Sequence, residues 1–160
     1  MGCSAGWWLD RRVLHTPSRL HQATGQQVEL RIKQYEEFAK DLSTFIFEAE
    51  IQHEFLSADW ATSEGRVETV KSYNAAITVL RSKELVYLAW AERYWGSAQL
   101  PAFESIVQRV KEVDEAVHAF NDNKITREKL TALHERTSKL RAETRALLAP
   151  RKTRRALAGA

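Results

Sequence analysis

Between Val28 and Leu148 the chain holds only three residues that break helices: Gly65, Gly96 and Pro101. Glycine loses the most backbone freedom in a helix and proline removes a donor, so their scarcity over such a run leaves the helix as the default state. Apolar residues recur through the run every three or four positions, the period of one helix face rather than the alternation of a strand. Together these features predict an all-α protein. A content of 44% hydrophobic and 28% charged residues in 160 suits one soluble domain with chain enough to bury a core.

The breakers and the apolar stripes divide the run into four main helices. Residues 1–25 read as an irregular head, because Thr16-Pro17-Ser18 and Thr24-Gly25 are turn signals. Helix 1 is predicted from about Gln26 to Ala58, with a stripe of Val28, Ile32, Tyr35, Ala39, Leu42, Ile46, Ala49, His53, Leu56 and Trp60. Helix 2 starts near Arg66 with Val67, Val70, Tyr73, Ile77 and Leu80. Continued unbroken, that stripe places Arg81 and Glu84 near its centre, which is costly unless both charges pair. A break near Arg81-Ser82-Lys83, with Ser82 capping a second segment, is the simpler expectation.

Gly96 closes that segment, and Pro101 suits the first turn of helix 3, whose stripe is Phe103, Ile106, Val110, Val113, Val117 and Phe120. Asn121-Asp122-Asn123 makes a turn, and Thr126 is the expected N-cap of helix 4, with Ile125 placed to staple onto Leu130. Helix 4 shows Leu130, Leu133, Thr137, Leu140, Thr144 and Leu147, and Pro150 stops it. Short connections favour antiparallel neighbours, so the expected fold is an up-and-down bundle over residues 26–149, with a basic, disordered tail at 150–160.

The net charge of +3 is unevenly spread. The tail carries Arg151, Lys152, Arg154 and Arg155 without an acid, and the head carries Arg11, Arg12 and Arg19 against Asp10, which leaves the helical body acidic. A fold that grips nucleic acid shows its basic charge on a face of the body, so that class is disfavoured. Within the body, the first helix is acidic and the last basic, as expected of neighbours with complementary charge. The single Cys3 excludes an internal disulfide framework and any zinc site built on several cysteines.

Catalytic patterns fail on geometry. Two Glu-x-x-His runs, Glu50–His53 and Glu115–His118, are the ligand spacing of di-iron bundles. His53 falls on the helix 1 stripe, but Glu115 and His118 point away from the helix 3 stripe, so no metal site is expected. His53 then reads as a core histidine partnered by Glu50 or by helix 2. No phosphate loop, nucleophile motif or cofactor signature is present, so the sequence leans away from an enzyme and calls for no cofactor.

The segment Glu84–Trp95 is apolar nearly all round. Such a helix lies centrally in the core or lends one side to another chain, and in the second case Tyr87, Trp90, Tyr94 and Trp95 are its interface anchors. Gly6-Trp7-Trp8-Leu9-Asp10-Arg11-Arg12 has the small, aromatic, basic order found where a chain leaves a membrane, and Met1-Gly2-Cys3-Ser4 approximates an acylated start. Arg11, Arg12, Arg151, Lys152, Arg154 and Arg155 are the candidate contacts to anions or lipid.

With the helices placed, the chain resembles a loose group of small bacterial helical proteins of uncharacterised activity. The likeness is carried by Tyr35-Glu36-Glu37-Phe38, by Leu80-Arg81-Ser82-Lys83-Glu84-Leu85-Val86, and by Leu140-Arg141 with Arg145-Ala146-Leu147-Leu148. It implies a helical bundle, preceded in some members by a membrane helix, and no activity. The expectation is a non-enzymatic, cytoplasmic scaffold or protein-interaction protein, near the membrane, with a protein partner or a second copy. The alternatives are a regulatory or nucleic-acid-associated protein acting through the basic tail and, after it, a metal-binding bundle enzyme.

Overall fold

A computed structural model describes residues 16–58, 63–95, 99–121 and 124–148, with side chains from residue 25 onward except at positions 63 and 95. The elements are α1 (Thr16–Ser57), α2 (Ser63–Trp95), α3 (Leu100–His118) and α4 (Arg127–Leu148), with no strand among the described residues. The fold is therefore all-α. The chain divides into two units, Met1–Tyr35 and Glu36–Ala160.

The first unit is described through the opening turns of α1. The helix begins at Thr16 rather than near Gln26. Pro17 falls in its first turn, where a missing N–H costs nothing, so the expected breaker starts the helix. Val28 and Ile32, placed by the sequence on the apolar stripe, are half exposed at 51% and 52%.

In the second unit every helix turns a three-four stripe inward. α1 buries Phe38, Leu42, Phe45, Ala49 and Gln52, with Ile46 beside them. That register replaces the expected Ala39 and His53 with Phe38, Phe45 and Gln52. α2 buries Thr69, Tyr73, Ala76, Leu80, Tyr87 and Trp90 in the same rhythm, while Val67 and Val70 of its expected stripe are exposed. α3 buries Phe103, Ile106 and Val113, and α4 buries Leu133, Thr137, Leu140 and Thr144, as the sequence predicts. Stripes of this period pack at small crossing angles, the geometry of four-helix bundles.

Side-chain pairs fix the order. Phe38 meets Tyr87 edge-on at 5.1 Å and Phe45 meets Tyr73 at 5.6 Å, so α1 and α2 run antiparallel. Arg81 with Asp114 and Glu84 with Lys111 set α2 antiparallel to α3. Arg109 reaches Glu143 at 3.0 Å, and Arg136 donates to the Glu112 carbonyl at 2.8 Å, which sets α3 against α4. Glu50 with Arg141 and His53 with His134 close the ring between α1 and α4. Phe38 also packs on Phe103 at 5.2 Å, joining α1 to α3. The pairing is that of an up-and-down bundle.

α2 does not break near Ser82. Its heptad register places Lys83 in the slot between Leu80 and Tyr87, and the lysine carries its ammonium out to Glu37 at 2.6 Å and Asp41 at 2.8 Å. The Ser82 hydroxyl donates to the Val79 carbonyl at 2.8 Å within the helix and so caps nothing. At the other expected boundaries, Pro101 lies in the first turn of α3, and Thr126 Oγ1 accepts the Lys129 N–H at 3.3 Å as an N-cap does.

Tyr87 and Trp90 are each 4% exposed, so these two candidate anchors belong to the core and not to a surface. Tyr94 is half-buried beside Trp90, at 6.2 Å between ring centres, and the side chain of Trp95 lies outside the described residues. Trp90→Ala is expected to cost about 3–5 kcal/mol in urea denaturation, the usual penalty for emptying an aromatic core site, with the association state of the folded protein unchanged.

Candidate functional site

Two carboxylates, Asp114 and Asp41, each gather polar side chains from α2. Asp114 stands on α3 one turn after Val110 and one turn before Val117, on the edge of the apolar stripe, and is 2% exposed. Its Oδ1 accepts the Tyr73 hydroxyl at 2.9 Å, and its Oδ2 meets the Arg81 guanidinium. His118, one turn further along α3, brings Nε2 to 3.5 Å from Oδ1. Asp41 on α1 repeats the arrangement, with Oδ2 accepting Tyr87 Oη at 2.5 Å and Lys83 Nζ at 2.8 Å. Each carboxylate thus takes one tyrosine and one cation from α2.

The electrostatics keep both clusters in their hydrogen-bonded form. Burial, and then the neighbouring Asp114 charge, push the Tyr73 phenol above its ordinary value; burial and the bond to Asp41 do the same for Tyr87. Both remain donors at neutral pH. The bonds from Asp41 and Glu37 raise Lys83 and hold it as an ammonium. Neither cluster offers a free base or an activated nucleophile, because each carboxylate is already bound by a cation and a hydroxyl.

The two Glu-x-x-His runs go separate ways. Glu50 is engaged by Arg141, and Glu115 lies 3.8 Å from Arg136. The His53 ring lies 5.2 Å from that of His134 of α4 and tilted to it, so its partner is not on helix 2. Burial lowers its basicity first, and the His134 ring lowers it further. Among the described residues no three His, Cys, Asp or Glu side chains converge as metal ligands. Arg11, Arg12, Arg151, Lys152, Arg154 and Arg155, and the Trp7-Trp8 motif, lie outside the described residues. No described helix is long and apolar enough to cross a membrane.

The outward side of α2 is the surface that sequence reasoning missed. Ala75, Thr78, Val79, Ser82, Leu85, Val86 and Ala89 recur at three and four positions, and all are exposed. Leu85 is 78% exposed and Val86 59%. No charged residue falls on that side between Lys71 and Glu92, a rise of about 30 Å. The outer side of a surface helix ordinarily carries charge, and the neighbouring α3 follows that rule with exposed Glu104, Lys111 and Glu115. The signal was present in the spacing of Val79 and Val86, but with the helix broken at Ser82 they do not fall on one face.

Against protein-family models, curated proteins and solved structures, the chain shows no match.

Two pH effects follow from the buried groups. Above about pH 10 an unfolded chain releases phenolic protons that folded Tyr73 and Tyr87 keep, so stability falls as pH rises. Tyr73→Phe should flatten that slope while costing about 1–3 kcal/mol at neutral pH, because Asp114 loses a buried donor; urea titrations at pH 8 and pH 11 read both effects. Below about pH 6.5 the unfolded chain protonates the imidazole of His53 before the folded chain does, so stability falls on acidification. His53→Gln should shallow that acid limb in the same denaturation assay.

Proposed function

We propose that this is a non-enzymatic helical interaction protein that docks another chain's helix on the outward side of α2. The observation that carries the reading is the uncharged, exposed run from Ala75 to Ala89, with Leu85 and Val86 standing furthest out. Isolated surface apolar residues are ordinary, but a continuous apolar and small-residue side on a rigid helix is what helix-in-groove and helix-on-helix recognition use. The internal carboxylate locks support the reading from the other side. They hold α2 in register against its neighbours, so the exposed side is a fixed surface that pays little entropy on docking. A second copy of the chain is the simplest partner, since an antiparallel meeting centred on Ser82 would bring Val79 of one chain beside Leu85 of the other.

The test is a pair of charges placed on the surface. Leu85→Lys with Val86→Lys should leave the urea midpoint nearly unchanged, since exposed substitutions usually shift stability by under about 0.5 kcal/mol. Light scattering on size-fractionated protein should show the wild type associating and the double variant monomeric. A wild type that stays monomeric at high concentration, and whose cross-linked partners in its host are retained by the double variant, would sink the reading.

A further inference from the structure

A cleft of about 350 Å³ lies where α1 finishes, α2 begins and α3 ends, a volume within the usual range for small-molecule sites. Its walls divide by chemistry. Phe55 of α1, Val117 of α3 and Phe120 in the turn after α3 give it apolar sides. Gln52, Arg66 and Asn74 give it polar ones.

Gln52 is the telling residue. It occupies a core slot of the α1 register at 3% exposure, and its Nε2 has no hydrogen-bond partner. A buried amide N–H left without an acceptor is costly, and an aliphatic side chain would fill the slot without that cost. Arg66 makes no ion pair among the described residues. The nearest buried carboxylate, Asp114, is already bound by Arg81 and by Tyr73, which also lines the cleft. The cleft lining therefore carries a guanidinium and an unpartnered buried amide N–H, and no carboxylate. His118, also in the lining, is held by contacts to Asp114 and Asn121.

We propose that this cleft binds a small carboxylic acid with a short apolar body, the carboxylate taken by Arg66 and the Gln52 amide and the body packed against Phe55, Val117 and Phe120. A carboxylate matches the planar guanidinium fork and supplies the acceptor that the buried amide lacks. The site is separate from the docking side of α2 and does not depend on it.

The experiment is a titration of the full-length, isotope-labelled protein with hexanoate, and in parallel with hexylamine, which has the same chain and the opposite charge. Hexanoate should bind saturably, shifting the side-chain amide of Gln52 and the methyls of Val117, while hexylamine should not. Arg66→Gln, a change at an exposed position, should weaken hexanoate by about tenfold or more, as expected for loss of a charge-assisted bond. Leu85→Lys, on the outward side of α2, should leave it unaltered. Absence of saturable hexanoate binding at millimolar concentration would overturn the proposal. So would equal binding of hexylamine, shifts confined to other parts of the molecule, or unchanged affinity in Arg66→Gln.

Discussion

Arg81, Lys83 and Glu84 sit in the middle of a helix that must carry core side chains above and below them, and each is matched by an opposite charge on a neighbouring helix. Arg81 meets Asp114 of α3, Lys83 meets Glu37 and Asp41 of α1, and Glu84 meets Lys111 of α3 at 3.3 Å. The three side chains are themselves partly exposed, and their partners hold them at the rim of the core, where α2 can pass without a break. With them, α2 runs for 33 residues and ties both of its neighbours in register. The pairs need not stabilise strongly in isolation, since partly exposed ion pairs contribute little. Their effect is on alternatives: a one-turn slip of α2 would strand Asp114, which is 2% exposed, without its cation and its hydroxyl.

The two tyrosines extend that logic. Tyr73 and Tyr87 pack their rings against Phe45 and Phe38 of α1, while their hydroxyls are spent on Asp114 and Asp41. One side chain thus fills core volume and closes a polar lock, so packing and electrostatics select the same register. Because the polar groups of α2 face its neighbours, its outer side is left with small and apolar residues. The candidate docking surface and the internal locks are two consequences of one distribution of side chains around one helix.

The charge layout shows how far composition reaches. Acid on α1 and base on α4 suggested complementary neighbours, and Glu50 with Arg141 joins those helices. Yet other charges of α1 are met by Lys83 of α2, and Arg136 of α4 turns to α3. Counting charge per helix identifies a tendency to pair; side-chain reach and angular position choose the partner.

The apolar periods of α3 and α4, the scarcity of breakers, Pro101 and Thr126 fixed the helical class and two of the four core stripes from the sequence alone, because those signals act within one or two turns. The α1 stripe was right at Leu42, Ile46 and Ala49 but took Ala39 in place of Phe38 and left out Phe45, since apolar residues there occupy adjacent positions and either stripe satisfies the period. The continuity of α2, the burial of Tyr87 and Trp90, and the locks at Asp114 and Asp41 were decided only by tertiary structure. The bonds that close the two locks span 33 to 46 positions of sequence. A charge in a stripe is a defect until its partner is known, and a partner on another helix leaves no mark in the local sequence.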